Sequence, residues 1–116
     1  MTNWKSIRLE LGGTQAFPAG SVGRAYVIRL PLGTDARVDE ASLVAAPSRA
    51  TVQRYWSSDP DERGTLVKCE HGWIVRCNGS ADRKLELDGK TIRIGQQITI
   101  RDGEGTSLPL RVASIR

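Results

Sequence analysis

Residues 83–94 read RKLELDGKTIRI, and their pattern decides the fold class. Asp88-Gly89 is a two-residue loop that supplies the positive φ angles of a type I′ turn, whose twist matches the strands it joins. Pairing the arms around it puts Leu85, Leu87, Ile92 and Ile94 on one face and Lys84, Glu86, Thr91 and Arg93 on the other. Register and turn chemistry therefore agree on an antiparallel hairpin.

The same period of two runs outward in both directions. After Gly95, QITIR turns Ile98 and Ile100 inward, the polar loop DGEGTS follows, and LPLRVASI turns Leu108, Leu110 and Val112 inward. At the other end of the chain, SIRLEL sets Ile7, Leu9 and Leu11 against Ser6, Arg8 and Glu10. A Gly/Pro-rich connection leads to RAYVIRL, where Tyr26, Ile28 and Leu30 alternate with Ala25, Val27 and Arg29. The second face of that strand is partly apolar, which suits a central position, and Pro31 is expected to end it because proline donates nothing to a ladder. RATVQRYW places Ala50, Val52 and Trp56 with Arg54 on one side and Thr51, Gln53 and Tyr55 on the other.

One helix is expected, over 39–46 in VDEASLVAAP. Asp39 is the N-cap, Val38 and Leu43 occupy the staple positions, and Pro47 disfavours helix in the residue before it. The expected fold is thus all-β: about eight antiparallel strands in a small, partly open barrel, with a β-sandwich as the alternative. At 116 residues the chain fits one domain, 1–116, large enough to need no disulfide or metal as a staple.

The most chemical-looking segment is KCEHGWIVRC, 68–77, which holds both cysteines and the single histidine. A two-residue loop at His71-Gly72 groups Leu66, Trp73, Val75 and Cys77 with the charged Lys68 and Glu70. A three-residue loop, Glu70 to Gly72, pairs Cys69 with Trp73 and collects Thr65, Val67, Cys69, Trp73, Val75 and Cys77 on one face, with Gly72 in the left-handed position. The pattern favours the three-residue loop. Cys69 and Cys77 then lie about 13 Å apart along the sheet, too far for a disulfide or a shared zinc ion. His71 stands at the loop tip, away from a core-facing Cys69, which leaves no Cys/His nucleophile pair. Two thiols that pack as small hydrophobes are the expectation.

No G-x-S-x-G, H-E-x-x-H, phosphate loop or dinucleotide fingerprint occurs, so no catalytic residue, cofactor or metal is assigned. Asp59, Asp61 and Glu62 in SSDPDERG lack EF-hand spacing and read as a solvated turn that Arg63 neutralises. The same loop, with Tyr55 and Trp56 at its base, also suits recognition, because functional residues gather on loops held by a rigid scaffold. The candidate partner-binding residues are Arg54, Tyr55, Trp56, Asp59, Asp61 and Arg63.

Seventeen Lys and Arg against thirteen Asp and Glu give a net charge of +4. Arg29, Arg54, Arg76, Arg93, Arg101 and Arg111 are all placed on strands, and such cations beside an exposed Tyr55 are the ingredients of a single-strand nucleic-acid binder. Glu10, Glu70, Glu86 and Asp102 interrupt that field. Neither a signal peptide nor an apolar run of membrane-spanning length is present, so a cytoplasmic chain with reduced thiols and no membrane contact is expected.

The succession WKSIRLEL, FPAGS, RAYVIRLPL, DRKLELDGKTIRIGQ and LPLRVASI resembles a family of small uncharacterised bacterial proteins over most of the chain. The resemblance implies an all-β fold and carries no function. The expected function is a non-catalytic β module that binds another macromolecule, with a protein as the expected partner. A single-stranded nucleic-acid barrel of the oligonucleotide-binding type is the alternative.

Overall fold

Strand after strand pairs with its neighbour in sequence until the last returns to the first. The structure, a computed structural model, describes residues 2–70 and 72–116. Its elements are β1 (Asn3–Leu11), β2 (Ser21–Leu32), α1 (Glu40–Ala45), a 3-10 turn (Pro47–Arg49), β3 (Thr51–Trp56), β4 (Glu62–Cys69), β5 (Gly72–Cys77), β6 (Arg83–Leu85), β7 (Gln97–Arg101) and β8 (Ser107–Ile115). All eight strand pairings are antiparallel, and β8 pairs with β1, so the sheet is a closed barrel rather than a sandwich. At the closing seam Ser6 N donates to Arg116 O (2.7 Å) and Arg116 N to Ser6 O (2.9 Å). Register shifts at Glu10/Leu11 against β2 and Arg8/Leu9 against β8 add the local bend that closure requires.

The inward faces of β1, β2, β3, β7 and β8 are as the alternation dictates, with Ile7, Leu9, Tyr26, Ile28, Val52, Ile98, Ile100 and Leu110 all at most 2% exposed. Eight strands leave an interior just wide enough for side chains to fill. The helix is also as expected: Asp39 Oδ1 accepts from Ser42 N (3.2 Å), Leu43 is buried, and Val38 packs on the core. Thr2 donates to the same Asp39 carboxylate.

Several expectations are corrected. Pro31 does not end β2: it pairs with Trp4 inside the strand. Its carbonyl accepts from Asp39 N (2.9 Å) on the side away from β1. Its nitrogen faces that same side, where β3 does not reach, so no ladder donor is lost.

The Asp88-Gly89 turn forms, with Lys90 N donating to Leu87 O (3.0 Å), but its arms do not pair. Residues 86–96 instead leave the sheet. Ile92 N reaches Ala36 O (2.7 Å) and Gly95 N reaches Val112 O (2.8 Å), while β6 pairs with β7. Leu85, Leu87 and Ile92 are still buried, whereas Ile94 is 69% exposed and Arg93 is not on a strand. The apolar pattern located three of its four expected core residues, Leu85, Leu87 and Ile92, and tertiary contacts with 33–39 and β8 outweighed the local hairpin.

In the β4–β5 hairpin, Cys69 pairs with Gly72, Lys68 with Trp73 and Leu66 with Val75, so only positions 70 and 71 separate the strands. The inward set is Leu66, Lys68, Trp73, Val75 and Cys77. The expected three-residue loop is therefore wrong by one position, and Cys69 lies on the outer face, partly buried. Lys68 explains the error: its ammonium sits 4.8 Å from the Trp73 ring centroid and pairs with Asp88 (3.4 Å) and Glu40 (3.6 Å) at the barrel rim. A lysine whose stem covers an aromatic ring while its head reaches solvent is compatible with an inner face. The loop-tip placement of His71 lies outside the described residues.

Candidate functional site

The two ends of the barrel differ. Residues 33–50 and 86–96 plug one end with Leu43, Leu87 and Ile92, each at most 3% exposed. The other end carries the four loops 12–20, 57–61, 78–82 and 102–106. Inside this mouth is a cavity of about 150 Å³ with Trp56, Ile100 and Leu108 as its apolar wall and Tyr26, Arg54 and Arg83 as its polar wall. Asp102 and Thr106 form the outer lip.

Arg54 organises the mouth. Alternation along β3 sends it inward beyond Val52, and it is 7% exposed. Its Nε donates to Tyr26 Oη (3.3 Å), and its Nη1 donates to Asp59 Oδ2 and Glu62 Oε2 (both 3.3 Å). The guanidinium also lies 4.6 Å from the centroid of the Trp56 ring, which meets Tyr26 edge-on at 5.8 Å. Burial works against the Arg54 charge, but the bond to Tyr26 and the carboxylates of Glu62 and Asp59 outweigh it, so its pKa is raised. Burial likewise raises the Tyr26 pKa, against the pull of Arg83 and Arg54. Both groups therefore keep their protons near neutral pH.

A second layer runs from Glu62 to the neighbouring loop. Ser80 Oγ donates to Glu62 Oε1 (2.5 Å), and Arg83 Nη1 donates to Ser80 Oγ (2.9 Å) while standing 3.9 Å from Glu62 Oε1. The 57–61 loop is thus held from below: Asp59 N closes a turn on Trp56 O (2.8 Å), and its side chain is tied to Arg54. All five loop residues, Ser57 to Asp61, are nonetheless exposed, the Asp59 side chain by about half.

Of the sequence candidates, Arg54, Trp56 and Asp59 come together here, with Arg54 beneath the loop rather than on a recognition face. Asp61 stands exposed beside them. Tyr55 and Arg63 point the other way, onto the outer wall, where the Tyr55 hydroxyl donates to Gln53 and Arg63 stands opposite Gln53. Tyr26, Arg83, Asp102, Thr106 and Leu108 were not among the candidates. For Arg83 the signal was present, since Leu85 and Leu87 inward put Arg83 inward by the same period.

The thiols offer no chemistry of the usual kind. Cys77 is buried, and burial together with the nearby Glu62 raises its pKa, which disfavours the nucleophilic thiolate. Among the described residues no three His, Cys, Asp or Glu converge as a metal site, and no helix is long and apolar enough to cross a membrane. No protein-family model, curated protein or solved structure matches the chain.

Proposed function

We propose that the protein is a non-catalytic binding module of the cytoplasm that engages another protein through the mouth of its barrel, with 57–61 as the leading contact. The Arg54 clamp is the observation that carries this reading. A loop with five exposed residues is fixed by a buried cation, so it can bind without the entropic cost of ordering itself first. The hydrogen bonds that Arg54 and Arg83 do make to Asp59 and Ser80 hold loops rather than activate a nucleophile, which favours binding over catalysis. Two unpaired cysteines on opposite faces of one hairpin favour a reducing compartment.

A photo-crosslinking amino acid at Ser58, in cells that produce the protein, tests it. A discrete protein adduct from Ser58, absent from Thr99 on the outer wall and weakened by Arg54→Leu, is expected. Adducts from Thr99 alone, or none from Ser58, remove the reading.

A second reading rests on the wall itself. Outward strand positions carry Arg8, Arg29, Arg63, Arg76, Lys84, Arg101 and Arg111 against the single carboxylate Glu10. That excess favours single-stranded nucleic acid, although an eight-stranded meander is not the five-stranded Greek key of the oligonucleotide-binding fold. A titration with labelled single strands at two salt concentrations decides it: no binding at low salt, where phosphate contacts are strongest, ends it.

A further inference from the structure

We infer that the mouth cavity is a receptor for the C-terminal carboxylate of a basic polypeptide, which deepens the reading of the mouth as a protein interface and rests on it. The starting point is donors without acceptors. Arg83 uses only Nη1, on Ser80. Among the described residues, its Nε and Nη2, and the Nη2 of Arg54, make no hydrogen bond. Both guanidiniums line the cavity. No buried side-chain nitrogen or oxygen is left without a partner among the described residues, so these free N–H groups are open to the solvent of the cavity and available to a ligand, and a planar fork of N–H groups matches a carboxylate best.

The rest of the cavity defines what the carboxylate is attached to. Trp56, Ile100 and Leu108 form an apolar wall beside the two arginines. A volume of about 150 Å³ corresponds to about five waters at ~30 Å³ each. That accommodates a small apolar side chain with its terminal carboxylate and nothing as large as a folded segment.

The rim decides between a free acid and a chain terminus. The loops 12–20, 57–61, 78–82 and 102–106 contain Asp59, Asp61, Asp82, Asp102 and Glu104 and not one Lys or Arg, in a protein of net charge +4. Asp59 and Asp82 are paired with Arg54 and Arg76, which leaves Asp61, Asp102 and Glu104 as the rim charges that oppose a free small anion. A C-terminus preceded by lysines and arginines brings cations that match the rim while its terminal carboxylate reaches the arginines inside. Capture of a terminal carboxylate by fixed donors is an established mode of peptide recognition, and here positive residues upstream of the terminus add the complementarity that sets approach and register.

The test titrates the 15N-labelled protein with three probes: the peptide acetyl-KRKAV with a free carboxylate, the same peptide amidated, and N-acetylvaline. The expected result is movement of the Trp56 indole N–H and of the 102–106 amides by the acid peptide. Amidation should weaken binding roughly tenfold or more, the value of one charge-assisted contact, and N-acetylvaline should bind more weakly than the acid peptide. Arg83→Gln should bring the acid peptide down to the affinity of the amide. Equal affinity of acid and amide at the mouth overturns the carboxylate site while leaving the mouth an interface. No movement with any probe overturns the carboxylate site too, and the crosslinking at Ser58 then judges the interface independently. N-acetylvaline binding as tightly as the acid peptide overturns the polypeptide as the source.

Discussion

Gly64 lies so close to β5 that a Cβ added to it would stand 1.9 Å from the carbonyl oxygen of Arg76. That contact is with backbone, so nothing local can move aside. Gly64→Ala is expected to destabilise the protein by at least the ~1–3 kcal/mol of an overpacked site, measured by urea denaturation. Gly103→Ala, where nothing lies within 4 Å, should stay within about 0.5 kcal/mol of the parent. Arg54→Leu removes the clamp and leaves Glu62 short of a partner. Because Asp59 is about half exposed, the cost should fall near ~1–3 kcal/mol rather than the ~3–5 kcal/mol of a fully enclosed pair. Amide exchange at Asp59, whose N–H bonds Trp56 O, should accelerate more than the global stability change explains. At this scale the sequence was legible where side chains are purely apolar and misleading where they are amphipathic. Alternation placed Ile7, Leu9, Ile28 and Ile98 without error. It rejected the inward face that holds Lys68, because a charge in the pattern reads as solvent until the Trp73 ring and the carboxylates of Asp88 and Glu40 are seen around it.

Among the elements, β6 is the thinnest. It meets β7 through two residue pairs, and one of them sets Lys84 directly opposite Arg101. Like charges in that relation are destabilising. Lys84→Glu is expected to raise stability by about 0.2–1 kcal/mol, readable in a thermal melt. Amides of β6 should exchange before those of β1 and β2, whose shared ladder spans nine pairs. The α1 cap gives a pH dependence. The hydroxyl of Thr2 and the backbone and hydroxyl of Ser42 hold the Asp39 carboxylate below its usual range. A depressed carboxylate stabilises the fold above its unfolded pKa and loses that contribution as pH falls through the depressed value. The Ser42 amide resonance should therefore follow an acidic titration that Asp39→Asn abolishes. The cap itself was legible from VDEASLVAAP, since every signal in it is local. The 83–94 hairpin was not, because the bonds of Ile92 to Ala36 and of Gly95 to Val112 join positions that no local pattern connects.

At the scale of the molecule, two properties stand out. Closure joins β1 to β8, the most distant strands in the chain, so the barrel cannot complete itself from local contacts. Folding on the slow, millisecond-to-second side of small domains is expected from such topology. Charge is also sorted: outward strand positions are overwhelmingly cationic and the mouth loops carry only carboxylates. The loop composition was readable in the chain from the start. Its meaning was not, because only the up-and-down order of the strands brings 12–20, 57–61, 78–82 and 102–106 to one end. The barrel and the inward faces of β1, β2, β3, β7 and β8 followed from the period of two, whereas the β4–β5 face and the 83–94 segment did not follow from turn chemistry, and the mouth required knowing which loops share a side.

The reciprocal bonds between Ser6 and Arg116 place the beginning of β1 and the end of β8 side by side at the plugged base. A fusion partner, a linker or a solid support attached to either terminus therefore holds the barrel like a cup standing on its foot. The mouth faces outward, and either terminus serves equally well as the anchor for display.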